Sequence, residues 1–487
     1  MLATPVAWLP AWSVRAALAP VAPPRASPRL PPCASPRLLR SRSVRASANE
    51  LTVSTFNLWC PAYRRVDGDE EVREAEFPEL YMPRHREILG LDVWNTSDIV
   101  CCQEFWFGSQ DVFDLYVNTL QPRFKMHGLR RSGARPDGLF MAISREWEVV
   151  HEADLDFEDA AGRCAQLLHL RREADSDDAS STAVTELLIA NVHLLFPHNE
   201  AAGRVRLREM HKLLAYLEFY KAKLDKPPPT LICGDLNGPT GSVVAQSLAR
   251  YGWRDSYSSH AGCKIEQVSE GEGCGWVSHL NHLGVAEGVD YIMAQSPSTR
   301  RLPVADWTDF VMAEIAQALT DRGHGEAGEA WRMFTELACS AEPEASWAGG
   351  GGGEGDDGTE GGLRDREADG CLVDCEGFNR ALQQLGFGAA PLTIREVDVL
   401  VSSCDADGNG VIDATEWRDR FAAALQRLQT DELVQDQRDG CGSDLIVERS
   451  AIRPACLEEG RWPAEGQWGL SDHGVVTSTF VLGDSDE

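Results

Sequence analysis

From Leu51 onward short apolar runs alternate with polar turns, a pattern that predicts strands. The runs are "LTVSTFNLW", "SDIVCCQEFW", "GLFMAIS", "WEVVHEADL", "CAQLLHLRR", "ELLIANVHLL", "TLICGDL", "VDYIMA", "DLIVERSAI" and "VVTSTFVL". Between them lie stretches such as "GRVRLREMHKLLAYLEFYKAKL", whose apolar residues recur every three or four positions and predict helices. Strands and helices out of strict alternation predict a mixed α+β layered domain. Glu173 to Ala183, "EADSDDASSTA", reads as a polar hairpin loop.

The pattern changes at about Pro303 and stays changed to Gly442: it becomes helical, contains no lysine, and holds 29 acids against 10 arginines. Inside it "SWAGGGGGEGDDGTEGG", residues 346–362, is a glycine-rich linker that cannot bury enough surface to order itself. Strand-like runs resume at "SDLIVERSAI". The reading is an all-α region, 303–442, inserted into a domain formed by 49–302 and 443–487.

Residues 1–48 carry seven arginines and no acid, and are rich in Ala, Ser and Pro, the composition of an organelle transit peptide. "SVRAS" resembles a plastid processing site near Ala46, and a mitochondrial address is the alternative. No apolar run approaches the ~18–20 residues of a membrane span. The net charge of −30 becomes −37 once this +7 segment is removed. Such a field repels nucleic-acid backbones at long range, so a general polyanion binder is disfavoured, and a phosphate substrate must be held locally, most simply by a metal ion. The 14 cysteines form no CxxC pair, and read as reduced, mostly buried thiols.

"DADGNGVIDATE", Asp405 to Glu416, places oxygen donors at the spacing of an EF-hand calcium loop. Asp405, Asp407 and Asn409 alternate, Gly410 makes the sharp turn, Val411 offers a carbonyl, Asp413 acts through water, and Glu416 closes the loop. Ile412 is the apolar residue that packs against a partner loop. "DREADGCLVDCE" gives a second, less complete candidate with Asp365, Glu367, Asp369, the Cys371 carbonyl and Glu376 in register. Its entering helix, "EAWRMFTELAC", is separated from it by the glycine linker.

Several predicted strands end in polar residues: "TFNLW" in Asn57, "CCQEFW" in Glu104, "ANVHLLFPH" in His193, "TLICGDLNGPTG" in Asp235 and Asn237, and "LSDHGVV" follows Asp472 and His473. Polar groups at strand ends build loop sites rather than core. With Asp290 of "GVDYIMA", their order resembles the endonuclease/exonuclease/phosphatase superfamily over Leu51 to about Arg301 and Ser443 to Leu482. The resemblance implies a four-layer α/β/β/α sandwich and metal-dependent phosphoester hydrolysis.

By that resemblance, Glu104 would hold magnesium (or manganese), with Asp472 completing the metal site. Asp235 would orient and deprotonate the attacking water. Asn57 and Asn237 would position groups around the metal and phosphate. His473 would contact the phosphate with Asp290 fixing its tautomer, and His193 would serve the phosphate or leaving group, paired with Asp137. "GDLNGPTGSVVAQSL", "WVSHLNHLG" and "VDYIM" look most like the deadenylase and nocturnin branch, which implies RNA or a nucleotide as substrate. Two other readings stand beside a calcium-binding nuclease: a calcium-binding adaptor with an inert hydrolase scaffold, and a phosphatase for a small plastid metabolite. Arg130, Arg131 and Arg135, just before Asp137, read either as a phosphate entry or as a solvated loop.

Overall fold

The structure, a computed structural model, describes residues 50–66, 71–159, 161–173, 184–197, 199, 201–269, 272–340, 371–428, 444–464 and 467–483. The transit segment 1–48, the linker 346–362, most of the hairpin loop after Glu173, and Asp365, Glu367 and Asp369 lie outside the described residues. The chain divides into two compact units, Met1–Val304 with Glu432–Glu487, and Ala305–Asp431.

The strands of the larger unit are, in chain order, β1 (Glu50–Asn57), β2 (Ile99–Trp106), β3 (Phe124–Arg130), β4 (Asp137–Ser144), β5 (Glu148–Asp156), β6 (Cys164–Glu173), β7 (Val184–His193), β8 (Thr230–Asp235), β9 (Arg254–Asp255), β10 (His279–Leu280), β11 (Ala286–Glu287), β12 (Asp290–Gln295), β13 (Asp444–Arg453) and β14 (Val475–Gly483). They form two six-stranded mixed sheets, β13-β14-β1-β2-β4-β3 and β5-β6-β7-β8-β12-β9, with β10 and β11 as a separate pair. Each of the ten runs picked out by apolar pattern is a strand here. Strand β3 was not among them, because most of "FKMHGLR" is partly exposed and carries no apolar run.

Side-chain alternation sorts neighbours to opposite faces of a sheet. Cys101 and Met141 point between the sheets, where they meet Leu167, Ile189 and Ile232. Cys102 and Phe140 point outward against Ile88, Tyr116 and Leu120 of helices Pro78–Leu89 and Gln110–Leu120. Helices Ala202–Lys221 and Val243–Arg250 cover the second sheet through Leu213, Leu217, Val244 and Leu248. The result is a four-layer α/β/β/α sandwich. Sheets covered on both faces explain why β1, β4 and β8 are buried at every residue and read as continuous apolar runs.

The smaller unit contains helices Trp307–Thr320, Ala327–Cys339, Cys375–Gln384, Ile394–Cys404 and Ala414–Leu428. Trp331, Phe334, Phe378, Trp417 and Phe421 form its aromatic core, with the Phe334 and Trp417 rings stacked 4.3 Å apart. Thr393 caps the fourth helix by accepting the Glu396 N–H, and Glu396 bonds back to Thr393.

Cys263 and Cys274, read from sequence as reduced thiols, form a disulfide. The turn after Ser256–His260 brings their Cα atoms to 6.1 Å, a proximity that spacing alone did not signal.

Candidate active site and calcium loop

Strand register assembles the site. Parallel pairing of β7 with β8 sets His193 beside Asp235, and antiparallel pairing of β8 with β12 sets Asp290 on the other side of Asp235. Gly234 makes this possible: its φ is +145°, and a Cβ there would lie 1.9 Å from the Val192 carbonyl oxygen. In the first sheet, Asn57 ends β1 opposite Gln103, next to Glu104. The β2–β4 register slips between Cys102 and Phe105, which re-aims Glu104. Ser471, ahead of β14, ties its loop to the Asn57 carbonyl through a 2.7 Å hydrogen bond.

These strand ends open on a cavity of about 630 Å³ lined by Glu104, His193, Asp235, Asn237, Asp472 and His473, with Asn57 and Asp290 bonded behind them. Of four described non-glycine residues with left-handed φ, Trp59, Glu104 and Asn237 line this cavity. Such conformations cost on the order of 1–3 kcal/mol each and persist where the surroundings hold them.

Asp235 is the hub. Its Oδ2 accepts the Asn57 amide N–H at 3.1 Å, and its Oδ1 accepts the Asn237 backbone N–H at 2.8 Å. Nε2 of His193 and Nε2 of His473 stand 3.5 and 3.7 Å from Oδ2. Asn237 donates its side-chain amide to the Leu194 carbonyl at 2.9 Å. His473 Nδ1 is 2.8 Å from Asp290 Oδ2, and its ring stacks on His279 with centroids 4.2 Å apart.

Burial and then the neighbouring charges set the protonation states. Burial raises the Asp235 carboxyl above its ordinary range, and Asp290 adds to the rise against the opposing pull of His473 and His279. For His473 burial works downward, but Asp290 and Asp235 outweigh it and hold the pKa up to about 10, so the ring is an imidazolium at neutral pH. Both ring nitrogens are then donors, and Asp290 holds a charge rather than selecting a tautomer. His193 is the reverse: burial, then Arg163 and Arg131, push it well below the usual range, so it is neutral. Glu104 is pushed up to about 7 by burial, then by Asp137 and Asp472.

Glu104 and Asp472 are thus oxygen donors that repel each other at the cavity wall, a set that a divalent cation fits. The triplet Asp235, Asp290 and His473 also lies close enough to hold a metal, as does His279, Asp472 and His473. The first of these is already knit by the His473–Asp290 hydrogen bond and reads as a charge network.

The sequence expectation that Asp137 pairs with His193 is corrected. Asp137 accepts from Arg131 Nη1 at 3.2 and 3.1 Å and from the Tyr63 hydroxyl at 2.5 Å. An adjacent guanidinium outcompetes a neutral imidazole for a buried carboxylate. Arg131 is therefore a buried, bonded residue rather than part of a solvated loop, whereas Arg135 stays exposed at the cavity rim. Sequence reasoning did not single out His279, although it lies in the quoted "WVSHLNHLG" as another histidine at the end of an apolar segment. Arg163 was missed as well, since an arginine just ahead of a strand carries no pattern of its own.

In the smaller unit, the carboxylates of Asp405, Asp407 and Glu416 converge within 4.8 Å. The loop is drawn round them by its own backbone. Asp405 accepts the N–H groups of Gly408, Asn409 and Gly410, and Glu416 accepts those of Ala406 and Asp413. Gly408 and Gly410 have φ of +75° and +86°. Asn409 Oδ1 accepts the Val411 N–H and Asp413 Oδ1 that of Glu416. Ile412 exchanges two backbone hydrogen bonds with Val373, at 3.0 and 2.8 Å. The partner is thus one place later than the Asp365–Glu376 register implies, since Leu372 there would match Ile412. In that earlier segment the Cys371 side chain is partly exposed, and Glu376 is exposed and pairs with Arg380 one helical turn on. Among the described residues, Glu376 thus bonds along its own helix instead of closing a loop.

No helix among the described residues is long and apolar enough to cross a membrane. No family model matches the chain. Solved structures with a similar fold include the human nocturnin catalytic domain (16% identity, 53% of this chain and 87% of that one, TM-score 0.38). ANGEL2, a 2′,3′-cyclic phosphatase, matches at 16% identity over 50% and 83% with a TM-score of 0.37. Truncated Caenorhabditis elegans TDP2 matches at 14% over 52% and 86%, also at 0.37. An uncharacterized calcium-binding protein of Arabidopsis thaliana is 30% identical over 447 residues, 89% of this chain and 84% of the relative. The larger unit of the present chain is a four-layer sandwich of two six-stranded sheets, and the protein belongs to the same family as this plant calcium-binding protein.

Proposed function

We propose that the protein is a divalent-metal-dependent phosphoester hydrolase, a phosphodiesterase of nuclease or deadenylase type, that binds calcium through the Asp405–Glu416 loop. The observation that carries the reading is Asp235, a buried carboxylate held by Asn57 and Asn237 with a neutral and a charged imidazole on either flank. Glu104 and Asp472 would hold magnesium or manganese, which when bound supplies Lewis-acid charge neutralisation at a phosphoryl oxygen. Asp235 orients a water and takes its proton. His473, cationic and backed by Asp290, meets charge developing on the phosphoryl oxygens. His193, neutral and with Nδ1 lacking a hydrogen-bond partner among the described residues, serves the phosphate or leaving-group side. Asn57 and Asn237 fix Asp235 without adding negative charge.

RNA ends or nucleotides fit a cavity that mixes arginines with Trp59, Phe196, Trp462 and Trp468, since bases stack on aromatic faces. The smaller unit enters the chain between β12 and the turn carrying Asp472 and His473, and on that connectivity we assign calcium a regulatory role over turnover. Residues 1–48 we assign to plastid delivery, testable by fusing them to a fluorescent reporter.

The test is magnesium-dependent hydrolysis of poly(A), mixed RNA, single- and double-stranded DNA and small phosphate esters, each with calcium or chelator, beside Asp235→Ala. Cleavage of one class that is lost in the variant supports the reading. Turnover absent from every substrate, or insensitive to Asp235→Ala, overturns it, and turnover indifferent to calcium removes the regulatory role.

A further inference from the structure

Arg163 directly precedes β6 and is 6% exposed, yet it lines the cavity together with His193. Its Nε and Nη1 are sealed from solvent and make no hydrogen bond among the described residues. A buried guanidinium left unpaired costs several kcal/mol, so natural folds keep one only where something else completes it. Asp159 and Glu209 lie close enough to act on Arg163 by charge, yet neither carboxylate accepts from its guanidinium. Asp159 Oδ1 accepts the Arg163 backbone N–H at 2.9 Å, and its side chain bonds to that of Glu209, whose carboxyl is held well above its usual range by burial and then by this contact.

The neighbouring arginine is not a substitute. Arg131 spends its fork on Asp137 and on the carbonyls of Ala161 and Gly162, the two residues that lead into Arg163. This clamp fixes the backbone from which the Arg163 side chain enters the cavity. Arg135 adds a third positive charge at the rim. Arg163 and Arg131 act on His193 more strongly than His473 and His279 do, which puts the arginines on the His193 side of the cavity, where His193 Nε2 stands 3.5 Å from Asp235.

We propose that Arg163, positioned by Arg131 and assisted by Arg135, forms an anion subsite for a second phosphate of the substrate, one that is bound and not cleaved. The substrate class is then a nucleotide that carries a phosphate besides the scissile one. This rests on the phosphohydrolase reading for its meaning, but the binding test below needs no turnover. A guanidinium donates charge-assisted hydrogen bonds to phosphate oxygens, and in a chain of net charge −30 such a local cluster is what makes a multiply charged ligand acceptable.

The experiment is calorimetric titration of the full chain bearing Asp235→Asn, at fixed magnesium, with adenosine 3′,5′-bisphosphate and with adenosine 5′-monophosphate. The bisphosphate is expected to bind about tenfold or more tightly, in line with one charge-assisted contact. Arg163→Gln is expected to erase that preference, and Arg163→Lys to keep part of it. Equal affinity for the two ligands overturns the subsite, as does a preference that survives Arg163→Gln in a variant with unchanged melting temperature. Should Arg163→Gln fail to fold, the comparison of ligands on the Arg163-containing chain and the Arg163→Lys result still decide the matter. Hydrolysis without bisphosphate preference would sink this proposal alone, and preference without hydrolysis would sink the enzymatic reading alone.

Discussion

The molecule gathers carboxylates in two places by opposite means. In the cavity, Glu104, Asp235 and Asp290 come from three strands and are held by groups tens to hundreds of residues away, such as Asn57 on Asp235 and Asp290 on His473. In the smaller unit, Asp405, Asp407 and Glu416 come from twelve consecutive residues and are held by the amides of that same loop. In the first set Asp235 and Asp290 are buried and Glu104 partly so, and Asp290 adds to the rise of the Asp235 carboxyl. The second lies toward solvent, and the Asp405 carboxyl is lowered chiefly by backbone N–H groups, led by that of Gly410. A remote constellation places reactive groups rigidly, and a local loop can close round an ion cheaply.

The sharpest way to break this contrast is at Asp235. Asp235→Asn keeps the shape and removes the proton acceptor, and turnover should fall by roughly 10²–10⁴-fold while calcium binding is unchanged. A coincident loss of calcium affinity, read by calorimetry, would show that the two clusters are not independent.

Next is the backbone that brings β7 and β8 together. Gly234→Ala should destabilise the larger unit by about 3 kcal/mol or more, because the added methyl meets the Val192 carbonyl in a conformation that L residues avoid. Denaturant titration followed by tryptophan fluorescence would measure it, and a near-neutral result would mean the close approach is not needed.

Asp255 tests what burial does to a carboxyl in the same sheet. Burial pushes it up to about 6 despite the Ser258 hydrogen bonds that work the other way. Its pKa in the unfolded chain is about 3.9, so the folded state holds the proton more tightly, and stability is lost as pH rises from about 4 through 6. Asp255→Asn does not titrate. Relative to the parent, it should gain up to about 3 kcal/mol between pH 4 and pH 7. A constant difference across that range would refute the assignment.

The smallest effect is expected in the Asp405–Glu416 loop. Glu416→Gln should weaken calcium binding roughly tenfold or more and leave magnesium-dependent turnover in chelator untouched. Equal affinity in the variant would mean that the converging carboxylates are not the ligands.

The same contrast explains what the sequence made legible. The Asp405–Glu416 loop is visible because every contact that shapes it is local. Strand ends were visible too, since an apolar run that stops at Asn57, Glu104 or Asp235 marks the rim of a buried sheet. Which strand end meets which was not. Asp137 was expected to pair with His193, and only the fold shows that Arg131, six residues earlier, takes it. His279 reaches His473 through a bridge between segments almost two hundred residues apart. The Val373–Ile412 register, one place from the expected one, is likewise a tertiary choice. Strand β3 escaped because its side chains are half exposed and its place at the sheet edge demands no apolar run.

The strand order carries a consequence for how the protein is made. β14 lies between β13 and β1, so the neighbour that completes β1 is translated more than 400 residues after it. At ~5–20 residues per second the nascent chain spends tens of seconds with that edge open, a template for wrong pairing. Asp472 and His473 arrive with the same late segment. The smaller unit, with its Asp405–Glu416 loop, therefore leaves the ribosome before the cleft has its full set of residues.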